Sequence, residues 1–306
     1  LILLTLVCTV IASLFTKSLM KPIDNIAKDL DRMGEVQIYR ELEPFIETIQ
    51  RQHEDILKSA KLRQEFTANV SHELKTPMTT IGGFIDGILD GTVPKEKHKQ
   101  YLVIVSEEVK RLSRMVKSML SIARIEAGDM KINPTDFDIN ELVCRTVFAF
   151  EQKIEEKKLE IIGLESDEVF VNADNDLIHQ VVYNLIDNAV KFVNEGGCIS
   201  FGYAQKDGKV FVSVKNTGAG IAQQELPRLF DRFYKTDKSR SLDKTGVGLG
   251  LYIVQTIVNQ HKGDLLVKSV EGEYTEFTFS VPGTDPKVIK EKNKSRISEE
   301  SEKTET

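Results

Sequence analysis

Residues 184–192 read NLIDNAVKF, and this stretch decides the fold of the second half of the chain. At helical spacing Asn184, Asn188 and Lys191 share one face. The positions left for the core are Val181, Leu185 and Ala189. Mg²⁺ takes oxygen ligands and bridges phosphates, which suits the Asn188 carbonyl beside a lysine. The alternative is a polar outer face, although such a face is normally richer in Glu and Lys.

Two glycine-rich stretches follow, NTGAGI at residues 216–221 and GVGLGL at residues 246–251. Glycines let backbone N–H groups approach phosphates, and a helix that begins at Gly250 directs its positive end at an anion. Neither stretch has P-loop or Rossmann spacing, so another nucleotide fold is predicted; ordinary turns are the alternative. The candidate nucleotide contacts are Asn216, Gly218, Gly220, Ile221, Gly246, Val247, Gly248, Leu249 and Gly250.

Between these stretches, residues 229–235 read LFDRFYK. Its paired phenylalanines predict the anchor of a mobile lid over the nucleotide, and Lys235 is the candidate to reach the phosphates.

Short strands and helices alternate from residue 129 to residue 283. Predicted strands cover residues 160–164, 168–172, 198–205, 209–216, 265–269 and 275–281, and predicted helices cover 140–157, 175–193 and 250–260. Strands grouped with helices on one face predict an α+β two-layer sandwich. Residues 284–306 are almost entirely polar or charged, which is typical of a disordered tail.

The first half of the chain carries a different motif, FTANVSHELKTP at residues 66–77. It places His72 in mid-helix with Glu73 adjacent, Thr76 one turn on and Pro77 loosening the helix. A neutral imidazole can attack phosphorus while Glu73 takes or holds the proton on its other nitrogen. The Thr76 hydroxyl, on the same face, can orient water for hydrolysis of a partner's phosphate. Taken alone, a capping or packing histidine is the alternative.

Residues 59–128 predict two helical arms joined by a turn at residues 91–94. The second arm has an apolar seam at alternating spacings of three and four: Leu102, Val105, Val109, Leu112, Val116, Met119 and Ile122. A lone hairpin with such a seam exposes apolar surface unless a second copy covers it. The seam therefore predicts a homodimeric four-helix bundle.

Residues 1–16 are an uncharged apolar run, followed by Lys17 and Lys21. The run predicts the C-terminal part of a transmembrane helix, and the lysines place the rest of the chain on the cytoplasmic side; a buried core helix is the alternative. A net charge of −6 without a basic stretch argues against nucleic-acid binding. The three cysteines form no C-x-x-C pair, which favours reduced thiols.

The order of these motifs over residues 60–283 resembles the sensor histidine kinases of two-component systems. The matching positions are His72, Glu73, Thr76, Asn184, Asn188, Lys191, Phe192, Gly218, Gly220, Gly246, Gly248 and Gly250. The resemblance implies a dimerisation and phosphotransfer hairpin of the HisKA type at residues 59–128 and an ATP-binding domain of the GHKL superfamily, with the Bergerat fold, at residues 129–283. It also implies Mg²⁺ bound through Asn188 and an aspartate of a response regulator as the final phosphoryl acceptor.

Two features depart from the family pattern. Asn216 stands where most members have an aspartate that accepts from the adenine amino group; its carbonyl can accept, but without charge. Residues 17–58 resemble a HAMP linker but are short for one.

Two other functions stay open: a GHKL-type ATPase clamp, which has no use for the histidine motif, and a nucleotide-binding signalling scaffold without kinase activity.

Overall fold

The computed structural model describes residues 5–17, 43–126, 131–236, 239, 243 and 246–284. The chain divides into two compact units, Leu1–His72 and Glu73–Thr306, and each is described by itself.

The first unit contains helix α1, over residues 5–17, and the N-terminal part of helix α2, Glu43–Leu89. The apolar side chains of α1, including Leu6, Leu14 and Phe15, are exposed. Among the described residues, no helix combines the length and the apolar character needed to cross a bilayer. Most of the predicted HAMP-like linker, residues 18–42, lies outside the described residues.

The second unit begins with a helical hairpin. Helix α2 runs through the buried Pro77 to Leu89, and helix α3, His98–Glu126, follows a turn and a short 3-10 helix, Lys95–Lys97. The Asp90 carboxylate accepts from the Thr92 N–H, and the Phe84 ring packs edge-on against Tyr101 with centroids 4.8 Å apart. These contacts close the turn, and the predicted hairpin is confirmed.

The α3 seam is only partly covered. Of its residues, Leu102, Val109 and Val116 are exposed, whereas Ile122 is buried. Met115, which lies outside the seam, is also buried, and α3 contacts the helix over Gly250–Gln260.

The rest of the second unit is an α+β sandwich, which confirms the predicted fold class. Its helices are α4 (Ile139–Phe148), α5 (Glu151–Glu156), α6 (Asn175–Phe192) and α7 (Gly250–Gln260). Its strands are β1 (Thr135–Asp138), β2 (Glu160–Ile162), β3 (Phe170–Ala173), β4 (Cys198–Lys206), β5 (Lys209–Thr217), β6 (Leu265–Val270) and β7 (Tyr274–Pro282). Apolar side chains of α4, α6 and α7 form the core with alternate residues of β5 and β7.

The strands form a five-stranded sheet in the order β2-β4-β5-β7-β6 and a two-stranded sheet of β1 and β3. All pairs are antiparallel except β2 with β4.

Two details differ from the sequence prediction. The helix predicted over 140–157 breaks between Phe148 and Glu151, and β1 was not predicted because it is only four residues long and forms by pairing with the distant β3. The predicted tail beyond residue 284 lies outside the described residues.

Candidate functional site

Helix α6 is the support of the site. It begins at Asp174, whose carboxylate accepts from the Leu177 N–H. Val181, Leu185 and Ala189 are 0%, 1% and 2% exposed, so the predicted core face is confirmed. At the other end, the Lys157 ammonium donates to the carbonyls of Val190 at 2.7 Å, Lys191 at 3.1 Å and Val193 at 3.4 Å. Both ends of the helix are thus fixed by side chains.

The two asparagines of α6 differ in their surroundings. Asn184 donates through Nδ2 to the Gln180 carbonyl, and its Oδ1 faces the start of α7, where a Cβ on Gly250 would lie 3.2 Å away. The half-buried Asn188 side chain has no hydrogen-bond partner among the described residues. The oxygen of its side-chain amide, Asn188 Oδ1, is the kind of oxygen that Mg²⁺ prefers. The described residues contain no cluster of three His, Cys, Asp or Glu that could hold a metal ion.

The loop after β5 is held tightly against its surroundings. Gly220 has φ +61°, and a Cβ there would lie 2.1 Å from the Val270 carbonyl oxygen. A Cβ on Gly218 would lie 2.4 Å from the Phe192 carbonyl oxygen. The buried Ser269 hydroxyl accepts from the Ile221 N–H at 2.8 Å and donates to the Tyr274 carbonyl at 2.7 Å. The Ile221 N–H is therefore occupied within the protein, and the Ile221 side chain is half-buried.

Asn216 is buried at the end of β5. Its Nδ2 donates to the Thr217 carbonyl at 3.0 Å, and this contact leaves Oδ1 as an acceptor. The acceptor function that an aspartate supplies is thus retained without the charge.

The second glycine stretch contacts the residues around Lys235. Gly248 has φ +75°, a Cβ there would lie 2.8 Å from the Phe233 carbonyl carbon, and the Phe233 N–H donates to the Gly248 carbonyl at 2.9 Å. Leu249 is buried in the core, Val247 is half-buried, and α7 begins at Gly250. The Phe230 ring lies 6.5 Å from that of Phe277.

The cations of the site meet around Asp243. The Lys191 ammonium lies 2.6 Å from Asp187 Oδ2 and 3.3 Å from Asp243 Oδ2. Asp243 also accepts from the Gly246 N–H at 2.7 Å through its carboxylate, and from Lys235 Nζ at 3.0 Å through its backbone carbonyl. Burial lowers the pKa of Lys191, but the two carboxylates outweigh burial and leave it raised. Burial lowers the pKa of Lys235, which donates to a carbonyl rather than a carboxylate.

The hairpin residues have a more open environment. His72, at the end of the first unit, and Thr76, at the start of the second, are exposed. Glu73 lies 3.5 Å from Arg111 on α3, and Arg111 lies 3.6 Å from Glu108. Two groups of candidates therefore emerge: the nucleotide-contact residues converge around α6, and the hairpin residues lie on helix surfaces.

Four residues that the sequence prediction did not assign contribute to these groups: Arg111, Asp187, Asp243 and Ser269. Asp187 has a local signal, because it stands four residues before Lys191. The contacts of Ser269 with Ile221 and of Arg111 with Glu73 join residues distant in sequence, so local periodicity does not indicate them. Asp243 lies between the predicted LFDRFYK and GVGLGL motifs and belongs to neither.

Family models match both regions. Residues 62–128 match the His Kinase A (phospho-acceptor) domain, and residues 173–285 match the histidine kinase-, DNA gyrase B-, and HSP90-like ATPase.

Curated proteins and solved structures resemble the chain over most of its length. It is 31% identical over 282 residues to the sensor histidine kinase WalK of Bacillus subtilis, covering 87% of this chain and 46% of WalK. It is 35% identical over 223 residues to the sensor protein SrrB of Staphylococcus aureus, covering 72% of this chain and 38% of SrrB. The chain thus spans less than half the length of these two relatives.

Two structures are similar in fold and sequence. Acinetobacter baumannii histidine kinase AdeS matches with a TM-score of 0.58 and 26% identity, over 70% of this chain and 98% of AdeS. Histidine kinase ThkA, solved in complex with the response regulator protein TrrA, matches with a TM-score of 0.61 and 28% identity, over 81% of this chain and 69% of that one.

Proposed function

The chain belongs to the sensor histidine kinases of two-component systems, and from that premise we propose that it transfers the γ-phosphoryl group of ATP to His72 and then to an aspartate of a response regulator. The observation that carries the proposal is that nucleotide-contact candidates from four separate segments converge around α6 in a chain that also has His72 exposed on a helix.

ATP is proposed to bind beside α6. The adenine amino group donates to Asn216 Oδ1. This oxygen can accept because the Asn216 amide is bonded to the Thr217 carbonyl only through its nitrogen, Nδ2, among the described residues. The Gly218 and Gly220 loop and the start of α7 at Gly250 surround the rest of the nucleotide together with Phe192, and Lys191 and Lys235 supply positive charge for the phosphates. Support for this arrangement comes from the absence of a Cβ at Gly218 and Gly220, where it would collide with backbone, and at Gly250, where it would lie 3.2 Å from Asn184 Oδ1.

Mg²⁺ is proposed to be held by the Asn188 carbonyl, which has no competing partner among the described residues. When bound, Mg²⁺ supplies positive charge that neutralises the phosphate oxygens.

In the phosphoryl transfer, a lone pair of one His72 ring nitrogen forms the N–P bond while the bond from Pγ to the bridging oxygen breaks and ADP leaves. Glu73 takes or holds the proton on the other ring nitrogen. The ion pair of Glu73 with Arg111 supports this role, because it fixes one oxygen of the carboxylate. A carboxylate oxygen of the response regulator then attacks the phosphorus and His72 leaves.

Three further properties belong to the proposal. The exposed side chains of Leu102, Val109 and Val116 support a homodimer in which the hairpins form a four-helix bundle. ThkA was solved with a response regulator, which supports such a partner for this chain. The exposed apolar side chains of α1 support membrane association, with residues 1–16 as the end of a transmembrane helix and residues from 17 onward in the cytoplasm.

Incubation with ATP labelled at the γ-phosphate tests the proposal. The chain is expected to acquire label that is labile in acid and stable in base, and His72→Gln is expected to lose the label while ATP binding persists. Release of labelled phosphate without labelled protein would indicate an ATPase clamp. ATP binding in calorimetry with neither labelled protein nor released phosphate would indicate a nucleotide-binding scaffold.

A further inference from the structure

Every cationic group proposed for the phosphates is associated with one acidic residue. Lys191 forms an ion pair with the Asp243 carboxylate, the Gly246 N–H donates to the same carboxylate, and Lys235 donates to the Asp243 carbonyl. These donors come from α6, from the Lys235 segment and from the glycine stretch before α7. They converge on the Asp243 side chain and carbonyl, and Lys191 comes from a segment distant in sequence from the other two donors.

The contacts that Asp243 makes are the kind that a phosphate group makes. A phosphate accepts from lysine ammonium groups and from glycine N–H groups, and a carboxylate offers the same negative oxygens on a smaller scale. The Asp243 side chain is 11% exposed, so its charge is largely removed from water and depends on these partners.

We propose that Asp243 is an internal substitute for a nucleotide phosphate: in the nucleotide-free protein its carboxylate pairs with Lys191 and its backbone carbonyl accepts from Lys235, and the carboxylate must leave Lys191 when the ATP phosphates arrive. The inference rests on the proposed binding of ATP beside α6. Asp243 thereby sets the affinity of the site for phosphorylated ligands.

Displacement follows from the charges around Lys191. That ammonium already has Asp187 at 2.6 Å, so Asp243 and a phosphate would bring its anionic neighbours to three. Like charges at such distances repel strongly where water is partly excluded. One anion must leave, and Asp243, at 3.3 Å, is the longer of the two existing pairs. The apparent affinity for ATP is then reduced by the fraction of protein in which Asp243 occupies the cations.

The test is calorimetric binding of ATP, ADP and adenosine to the full chain and to Asp243→Asn and Asp243→Ala. Asparagine keeps an acceptor for the Gly246 N–H but removes the charge that pairs with Lys191. The matched control is Asp231→Asn, because Asp231 is an exposed carboxylate of the neighbouring segment that lies 3.6 Å from Arg228. Each titration is run with Mg²⁺ and again with a chelator.

Both Asp243 variants are expected to bind ATP about tenfold more tightly than the parent. This gain corresponds to the free energy of one charge-assisted hydrogen bond, the Lys191–Asp243 pair that ATP no longer has to break. ADP is expected to gain less, and adenosine is expected to bind unchanged, because it has no phosphate to compete with the carboxylate. The gain is expected with and without Mg²⁺, and Asp231→Asn is expected to match the parent.

Unchanged or weaker ATP binding in both Asp243 variants overturns the inference. Weaker binding only when Mg²⁺ is present identifies Asp243 as a metal ligand and also overturns it. Either result in a parent protein that still binds ATP and labels His72 leaves the proposed function intact, whereas a parent and variants that all fail to bind ATP refute both proposals.

Discussion

The region formed by α6, residues 216–221 and residues 246–250, called the cleft below, positions its functional groups in a different way from the surface of the hairpin. In the cleft, Gly218, Gly220 and Gly248 lie so close to neighbouring backbone that a Cβ would collide. The Ser269 hydroxyl links the loop after β5 to the start of β7 through hydrogen bonds with Ile221 and Tyr274. On the hairpin, His72 and Thr76 are exposed on one helix, and Glu73 is held by a single ion pair. The cleft depends on tertiary fit, and the hairpin depends mainly on helical periodicity.

This difference separates two kinds of mutational effect. Changes at the close-packed glycines of the cleft are expected to lower stability and nucleotide affinity together, because the same contacts maintain both. Changes on the hairpin are expected to alter chemistry while the fold persists, because exposed helix positions tolerate substitution.

The largest effect is expected for Gly220→Ala. The new Cβ would meet the Val270 carbonyl oxygen at 2.1 Å at a residue with φ +61°, so the loop must move. We expect the free energy of unfolding to fall by about 3–5 kcal/mol and ATP binding to be lost, as measured by denaturant unfolding and calorimetry.

Gly208→Ala is the matched control for that variant. Gly208 also has a positive φ, +74°, but a Cβ there meets nothing within 4 Å. It is expected to cost only the backbone strain, about 1–2 kcal/mol, and to leave ATP affinity unchanged. Equal losses in the two variants would refute the claim that close approach, rather than φ alone, maintains the cleft.

On the hairpin, Thr76→Ala is expected to keep most kinase activity but to slow dephosphorylation of the response regulator. Loss of one group that positions water costs about 10²-fold or more in the step it assists, and the lifetime of the phosphorylated regulator measures this step.

Thr80→Ala separates this role from helix stability. The Thr80 hydroxyl donates to the Thr76 carbonyl at 3.1 Å, so this variant loses a bond to the preceding turn but no proposed catalytic group. If both variants lower the melting temperature and neither extends the regulator's phosphorylated lifetime, Thr76 is structural.

The two regions also differ in how far sequence predicts them. The core face of α6, the hairpin and the strand pattern follow from local periodicity, and Val181, Leu185 and Ala189 are buried as predicted. The contact of Lys191 with Asp243 and that of Glu73 with Arg111 join distant segments, and no local pattern encodes which side chains meet. Periodicity thus predicts the supports of the site, while the charge partners depend on the tertiary fold.

Arg111 tests whether the hairpin contains tertiary positioning as well. Arg111→Ala removes the cation 3.5 Å from Glu73, and we expect autophosphorylation kcat to fall about tenfold with little change in the KM for ATP, because an unheld carboxylate loses orientation. Arg111→Lys is expected to restore part of kcat.

The matched control is Arg114→Ala, an exposed arginine on the same helix. A rise in KM without a fall in kcat would show that Arg111 affects nucleotide binding instead. A fall in melting temperature with unchanged kcat would show that it only offsets the charge of Glu108.

The smallest effect is expected where cleft architecture depends on one side chain, Lys157, which caps α6 through three carbonyls. Lys157→Met removes these donors and is expected to lower the free energy of unfolding by about 1–2 kcal/mol, with Lys206→Met, at an exposed strand residue, as the control.

Burial, aided by Lys153, lowers the pKa of Lys157 below its ordinary 10.5. The folded chain therefore releases this proton at lower pH than the unfolded chain does, and the group's contribution to stability rises with pH up to about 10.5. The stability difference between parent and Lys157→Met should widen over that alkaline window, because the methionine variant lacks the titrating group. A difference that stays constant there would mean that Lys157 is not desolvated at the helix end, and a difference of zero at every pH would mean that the α6 carbonyls need no cap.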